Sequence, residues 1–270
     1  MGNSVNTNMG ALVALRNLDS TNRSLQSTQD RVSTGLKVIG AKDNASSFAI
    51  AEGLRANLKG FTAVQQALAN GKGIGEVAIA GATKLSSLLQ DMKAKVLEGM
   101  NVGNTSAQQA ILAADFVEMK AQFATFIANA TYNGKNLLAS GSTDAVVIST
   151  ISGGTLTVTN QSAVGGLTFG TLTNPTTTAV SALVDVDLAL TAVGTALGSL
   201  GADVKALGFQ QDFLKTLSDA TTEGLGSIVD ADLAEESATL QSLQVKQQLG
   251  VQALSIANGA PQILLSLFQG

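Results

Sequence analysis

Few residues here have the type and spacing to do chemistry. Gly71-Lys72-Gly73, with Gly75 just beyond, sets a cation among glycines, the raw material of a phosphate-cradling loop. Such a loop needs a further glycine upstream and Ser or Thr after the lysine, and these glycines also miss the spacing of a dinucleotide-binding turn. They predict instead a break or loosened turn in a helix. Asp230, Asp232, Glu235 and Glu236 could offer oxygen ligands to a hard cation. Acids at a helix start are, however, stabilised by the helix dipole with no ligand at all. Asp43 and Asn44 read as cap and turn residues, and no Gly-x-Ser-x-Gly nucleophile elbow occurs.

The inventory narrows the chemistry further. The 270 residues include no Cys, His or Trp, one Tyr (Tyr132) and two Pro (Pro175, Pro261). Without His or Cys there is no Ser-His-Asp triad, no thiol nucleophile, no zinc site of the usual kinds and no disulfide. Carboxylates, Lys, Ser and Tyr132 remain, so no catalytic residue, cofactor or metal site is expected and the enzyme reading is the weakest. Five Asn-x-Ser/Thr sequons begin at Asn22, Asn44, Asn104, Asn129 and Asn160; they read as chance matches, and the hydroxyl-rich stretch 139–182 is the better place for O-linked sugar.

The elements that position these residues are mostly helices. Charged residues make up 13% and hydrophobic ones 45%, with only 4% aromatic, so burial must come from Ala, Leu, Val and Ile. Residues 3–38 predict a helix with Leu18, Leu25, Val32 and Leu36 on one stripe, Thr21 and Thr28 filling the seam between them. That seam is too weak to hold two helices alone. A helix over 45–70 follows, then the glycines, then stripes through Leu85, Leu88, Met92, Val96 and Met100 and through Leu112, Phe116, Met119, Phe123, Phe126 and Ala130. Asn133-Gly134 signals a turn.

From 139 to 182 the composition changes, with 17 Ser or Thr in that stretch. Val146 and Ile148, Leu156 and Val158, and Leu167 and Phe169 alternate with period two, predicting a small antiparallel β insertion. Residues 183–228 carry a heptad repeat, with Leu183, Leu190, Leu197 and Val204 alternating with Val186, Val193, Leu200, Leu207 and Leu214. At 1.5 Å per residue that stretch would extend about 70 Å. Gly194, Gly201 and Gly208 fall beside the seam, either letting another helix approach closely or simply lowering helix stability. In 230–268, Leu240, Leu243, Val251 and Leu254 take one side of a helix, and Val245, Leu249, Ile256, Ile263 and Leu267 the opposite one. A helix apolar on two opposed faces needs more than one neighbour.

Charge is unevenly divided. Residues 1–138 carry 13 basic and 9 acidic side chains, and 139–270 carry 3 basic and 11 acidic. This favours pairing of N- and C-terminal segments, within a chain or between subunits. The net charge of −4 argues against nucleic acid. No run of about 18 apolar residues predicts a membrane span, and the N-terminus has no Sec-type signal pattern.

Two stretches resemble bacterial flagellin. Arg31-Val32-Ser33-Thr34-Gly35-Leu36-Lys37-Val38 followed by Ala41-Lys42-Asp43-Asn44-Ala45 is similar to that family's N-terminal signature. Ile228-Val229-Asp230-Ala231-Asp232-Leu233-Ala234-Glu235-Glu236, then Gln247, Gln248, Leu254, Asn258, Pro261, Leu264, Leu265 and Leu267, resemble its C-terminal pattern. The resemblance implies a mainly α fold: a long coiled-coil helical rod of paired N- and C-terminal helices, with a small antiparallel β-hairpin region at the midpoint. Residues 1–43 plus 228–270 would form the inner coiled coil, and 44–227 a helical bundle with the β insertion at about 139–182, too short for large outer domains.

The resemblance further implies a subunit that polymerises with itself, and possibly with sibling flagellins, into an extracellular filament for swimming. Its partners would be the flagellar type III export apparatus, a chaperone, and the filament cap and junction proteins, with no membrane insertion. The absence of cysteine suits a chain that must travel unfolded. Competing readings are a hook–filament junction protein and a secreted helical adhesin that binds a glycan. One stretch departs from the family: where flagellins sensed by the animal Toll-like receptor have Gln-Arg-Val-Arg-Glu-Leu, this chain has Gln90-Asp91-Met92-Lys93-Ala94-Lys95, which argues against receptor activation.

Overall fold

The computed structural model describes the backbone of residues 7–268 and the side chains of residues 7–259. In chain order the elements are α1 (Met9–Thr34), α2 (Ala45–Gly99), α3 (Ser106–Asn129), β1 (Thr131–Tyr132), β2 (Lys135–Asn136), β3 (Ala145–Ile148), β4 (Thr155–Val158), the single turn α4 (Ser162–Gly165), α5 (Thr178–Val229) and α6 (Leu233–Phe268). This is the mainly α fold with a small β region at the midpoint that the sequence predicts. The described residues form two compact units: the two ends of the chain, up to Ala56 and from Ala220 onward, and the middle, Asn57–Asp219.

The middle unit has one continuous core. Leu68, Leu85, Leu89, Met92 and Val96 of α2 meet Phe116 and Phe123 of α3 and Val186, Val193, Leu200, Leu207 and Leu214 of α5. The α5 residues are the predicted heptad seam, and Ala182, Ala189 and Ala196 beside it are buried as well. By length and composition α5 is apolar enough to cross a membrane, with a window of mean hydropathy 1.6; here that apolarity supplies the core. Lys93 reaches Asp187 at 2.7 Å, an ion pair between the basic first half of the chain and the acidic second half. Helix α3 starts on a capping box in which the Gln108 N–H donates to Thr105 Oγ1 and the Thr105 N–H donates to Gln108 Oε1.

The predicted helix break at Gly71, Gly73 and Gly75 does not occur, because α2 runs unbroken from Ala45 to Gly99. The glycines serve tertiary packing. A Cβ at Gly71 would overlap Val147 of β3, one at Gly73 would sit 2.9 Å from Tyr132 Cζ, and one at Gly75 would overlap Val204 of α5. Close approach therefore outweighs the roughly 0.5–1 kcal/mol that each mid-helix glycine costs relative to alanine.

Two antiparallel hairpins follow α3. In the first, Tyr132 pairs with Lys135 across Asn133-Gly134, both with positive φ, 47° and 78°, the two-residue turn that matches strand twist. In the second, Ala145 and Val147 point inward while Val146 and Ile148 are exposed. Leu167 and Phe169, expected as a third strand pair, lie in irregular chain. The Phe169 ring instead meets Phe123 edge-on at 5.0 Å, and its carbonyl accepts from Lys120 Nζ at 2.9 Å. Tertiary packing and a lysine fix this segment in place of a β ladder. No described atom lies within 4 Å of a Cβ built at Gly194, Gly201 or Gly208, so among the described residues no other helix approaches closely there.

Candidate self-assembly surface

In the terminal unit α1 and α6 run antiparallel in a single register. Asn8 Nδ2 donates to the Ala257 carbonyl at 2.6 Å, Gln247 Nε2 to Asn22 Oδ1 at 2.8 Å, and Arg31 Nη1 to Glu236 Oε1 at 3.1 Å. Each pair of residue numbers adds to nearly the same value, as two straight antiparallel helices require. Between these rungs lies a thin apolar seam. Leu18, Thr21, Leu25, Thr28 and Val32 of α1 face Leu240, Leu243 and Leu254 of α6, and only Leu25 and Thr28 are fully buried. At Gly250, Leu18 comes close enough that an added Cβ would lie 3.1 Å from its Cδ1.

The signature residues tie together the junction beside this pair. Gly35 caps α1 with a left-handed φ of 72° while its N–H donates to the Arg31 carbonyl. Leu36 bridges to Asp230, the Lys37 N–H donates to the Val229 carbonyl at 2.8 Å and the Ala231 N–H to the Gly35 carbonyl at 2.9 Å. Beneath these bonds Val38, Ala51 and Val229 form a small core with Leu36, Phe48, Leu225 and Ile228. Asp43 Oδ2 accepts from the Ile39 and Gly40 N–H groups, and Asn44 Oδ1 from Ser47 N–H at the start of α2. Asp232 Oδ1 caps α6 through the Ala234 and Glu235 N–H groups. Asp232, Glu235 and Glu236 are thus helix-start residues, whereas Asp230, expected with them, closes the end of α5, its N–H donating to the Gly226 carbonyl at 2.8 Å; Asp43 and Asn44 are turn and cap residues. Ser33, Ala41, Lys42, Ala45, Gln248 and Asn258 are exposed. The side chains of Pro261, Leu264, Leu265 and Leu267 lie outside the described residues.

The sequence reading did not single out Glu236 as the partner of Arg31, or Asn8 and Asn22 as rungs. A helical wheel finds the seam, but polar rungs across it depend on register. Of the expected inner stripe Leu240, Leu243 and Leu254 are half-buried but Val251 is exposed, and of the outer one the side chains of Ile263 and Leu267 lie outside the described residues. On the side of α6 away from α1, Val245, Leu249 and Ile256 are exposed, Ile256 to 76%. Opposite the α1 seam, Met9, Leu12 and Val13 are exposed too. Such contiguous apolar surface marks an interaction site.

Residues 5–143 match the bacterial flagellin N-terminal helical region, and 176–268 match the bacterial flagellin C-terminal helical region. The chain belongs to the bacterial flagellin family. Flagellin FljO of Caulobacter vibrioides is 39% identical over 270 positions, covering 99% of both chains. A Brucella melitensis flagellin is 38% identical over 286 positions, with the same coverage. A solved Bacillus cereus flagellin shares the fold at a TM-score of 0.50 and 17% identity, over 55% of this chain and 88% of that one. This flagellin is a short form without a large outer domain, a structural subunit of the flagellar filament and not an enzyme.

Proposed function

We propose that this flagellin assembles by burying the outward apolar faces of α1 and α6 against neighbouring copies. Residues 1–43 with 228–270 then form the inner coiled coil of the filament, and 44–227 the layer around it. The observation that carries this reading is the exposure of Met9, Leu12 and Val13 on one helix and Val245, Leu249 and Ile256 on the other, each set opposite the seam the two helices share. The α1–α6 seam by itself buries too little for a stable helix pair, so neighbours complete it.

The subunit reaches the outside of the cell unfolded through the flagellar type III apparatus, escorted by a chaperone. It joins the filament between the junction and cap proteins and can mix with sibling flagellins. The Gln90–Lys95 stretch, with Asp91 in place of the first arginine and no Glu-Leu pair, argues against activation of the animal flagellin receptor. Ile256→Asp tests the assembly surface. Purified monomer should keep its helical circular dichroism and fail to extend filament seeds in electron micrographs; seeds that grow to normal length would overturn the proposal.

A further inference from the structure

Three Asn-Gly dipeptides occur in the chain, Asn70-Gly71, Asn133-Gly134 and Asn258-Gly259. All three asparagines are exposed, so exposure does not distinguish them, but the backbone does. Asn70-Gly71 lies inside α2 and Asn258-Gly259 inside α6. There the N–H of the glycine is spent in an intrahelical bond and the helical main chain holds that nitrogen away from the asparagine side chain. Asn133-Gly134 forms the two-residue turn between β1 and β2. Turn residues leave their N–H groups outside the ladder, and Gly134 carries no Cβ to hinder approach to its nitrogen.

We propose that Asn133 is a site of spontaneous covalent modification, the turn acting as its own nucleophile with water as the only co-reactant. The Gly134 amide nitrogen, losing its proton to solvent hydroxide, attacks Asn133 Cγ. The new N–Cγ bond forms as the Cγ–Nδ2 bond breaks, and Nδ2 leaves as ammonia after taking a proton from water. Water then opens the five-membered imide at either carbonyl. Attack at Cγ gives aspartate, and attack at the main-chain carbonyl gives isoaspartate. The net change is one water consumed and one ammonia released, with no oxidant or reductant.

The isoaspartyl product adds a methylene to the main chain of a turn that closes with only two residues. The Tyr132–Lys135 pair then no longer registers, and the Tyr132 ring loses its seat against Gly73. Tyr132 is the sole tyrosine and the chain has no tryptophan, so intrinsic fluorescence reports this place alone.

The test incubates the purified full-length chain in mildly alkaline buffer, folded or in guanidinium chloride, followed by trypsin and mass spectrometry. Cleavage after lysine places the three asparagines in separate peptides, 60–72, 121–135 and 247–270, and fragmentation distinguishes Asn133 from Asn129. In the folded chain Asn133 should convert at least about tenfold faster than Asn70 and Asn258, since those must first break an intrahelical hydrogen bond. Isoaspartate should appear in peptide 121–135, with a matching change in tyrosine fluorescence. In denaturant the three rates should converge. Folded-state rates at Asn133 no higher than at the helical pair would overturn the proposal, as would a preference for Asn133 that persists unfolded, or conversion without isoaspartate.

Discussion

Leu85, Leu89, Met92, Val96 and Leu200 are wholly inside the middle unit, whereas no described residue of α6 is fully buried. Both regions draw on the same aliphatic alphabet. In the middle unit three long helices and two hairpins surround a shared core; in the terminal unit two helices share a narrow seam and turn their other faces to solvent. The first arrangement stabilises a fold within one chain. The second leaves apolar surface exposed, so the two regions differ here in the number of neighbours each helix has more than in residue type.

The strongest way to break this contrast is to hollow the middle core. Phe116→Ala or Leu200→Ala should cost roughly 2–5 kcal/mol in denaturant unfolding of the monomer, and a loss below ~1 kcal/mol would mean the middle unit is not an autonomous core. Next comes a pair on α6. Ile256→Asp should leave monomer unfolding within about 0.5 kcal/mol of the parent while abolishing polymer. Leu254→Asp, on the α1 side, should both abolish polymer and lower the helix content of the monomer. Equal behaviour of the two in circular dichroism would erase the distinction between inward and outward faces.

Gly71→Ala sharpens the comparison from the other side. Overlap with Val147 should destabilise by about 1–3 kcal/mol, partly offset by the better helix propensity of alanine. A net gain in thermal midpoint would show that β3 does not press on α2. Glu236→Gln should weaken the terminal unit by about 1 kcal/mol or less, more at low salt than at high, as read from amide exchange in α1.

The smallest effect concerns pH. Asp144 accepts from the backbone N–H and side chain of Asn160, and these bonds hold its carboxyl below its ordinary value of 3.8. Its stabilising contribution is therefore complete above that value and fades as pH falls through the lower, folded-state pKa. Asp144→Asn should cost a little stability at neutral pH and flatten the acid limb of unfolding, the two proteins converging at low pH.

The periodic features were legible in the sequence. Leu18, Thr21, Leu25, Thr28 and Val32 lie on the predicted α1 stripe, though Leu36, expected to continue it, falls past the helix end at Thr34 and joins the junction core; the α5 heptads became the predicted core face, and Asn133-Gly134 made the predicted turn. Each of these follows from local geometry. What escaped was set by non-local partners. Gly71, Gly73 and Gly75 look like helix breakers until Val147, Tyr132 and Val204 are seen against them. Leu167 and Phe169 alternate like a strand but are held by Phe123 and Lys120. At the junction the acidic cluster was readable as a helix start, while the choice of Glu236 as the partner of Arg31 depends on how the ends of the chain align.

The rung from Asn8 to Ala257 joins residues separated by 249 positions, and that distance along the chain sets an order in time. Helix α1 and its partner lie at opposite ends of the chain, and closing so long a loop is slow compared with local helix formation. The middle unit can condense from its own contacts while the terminal pair waits. A chain in which only one of the two end helices is present therefore lacks the α1–α6 pair altogether, and that pair is the last part of the fold to form.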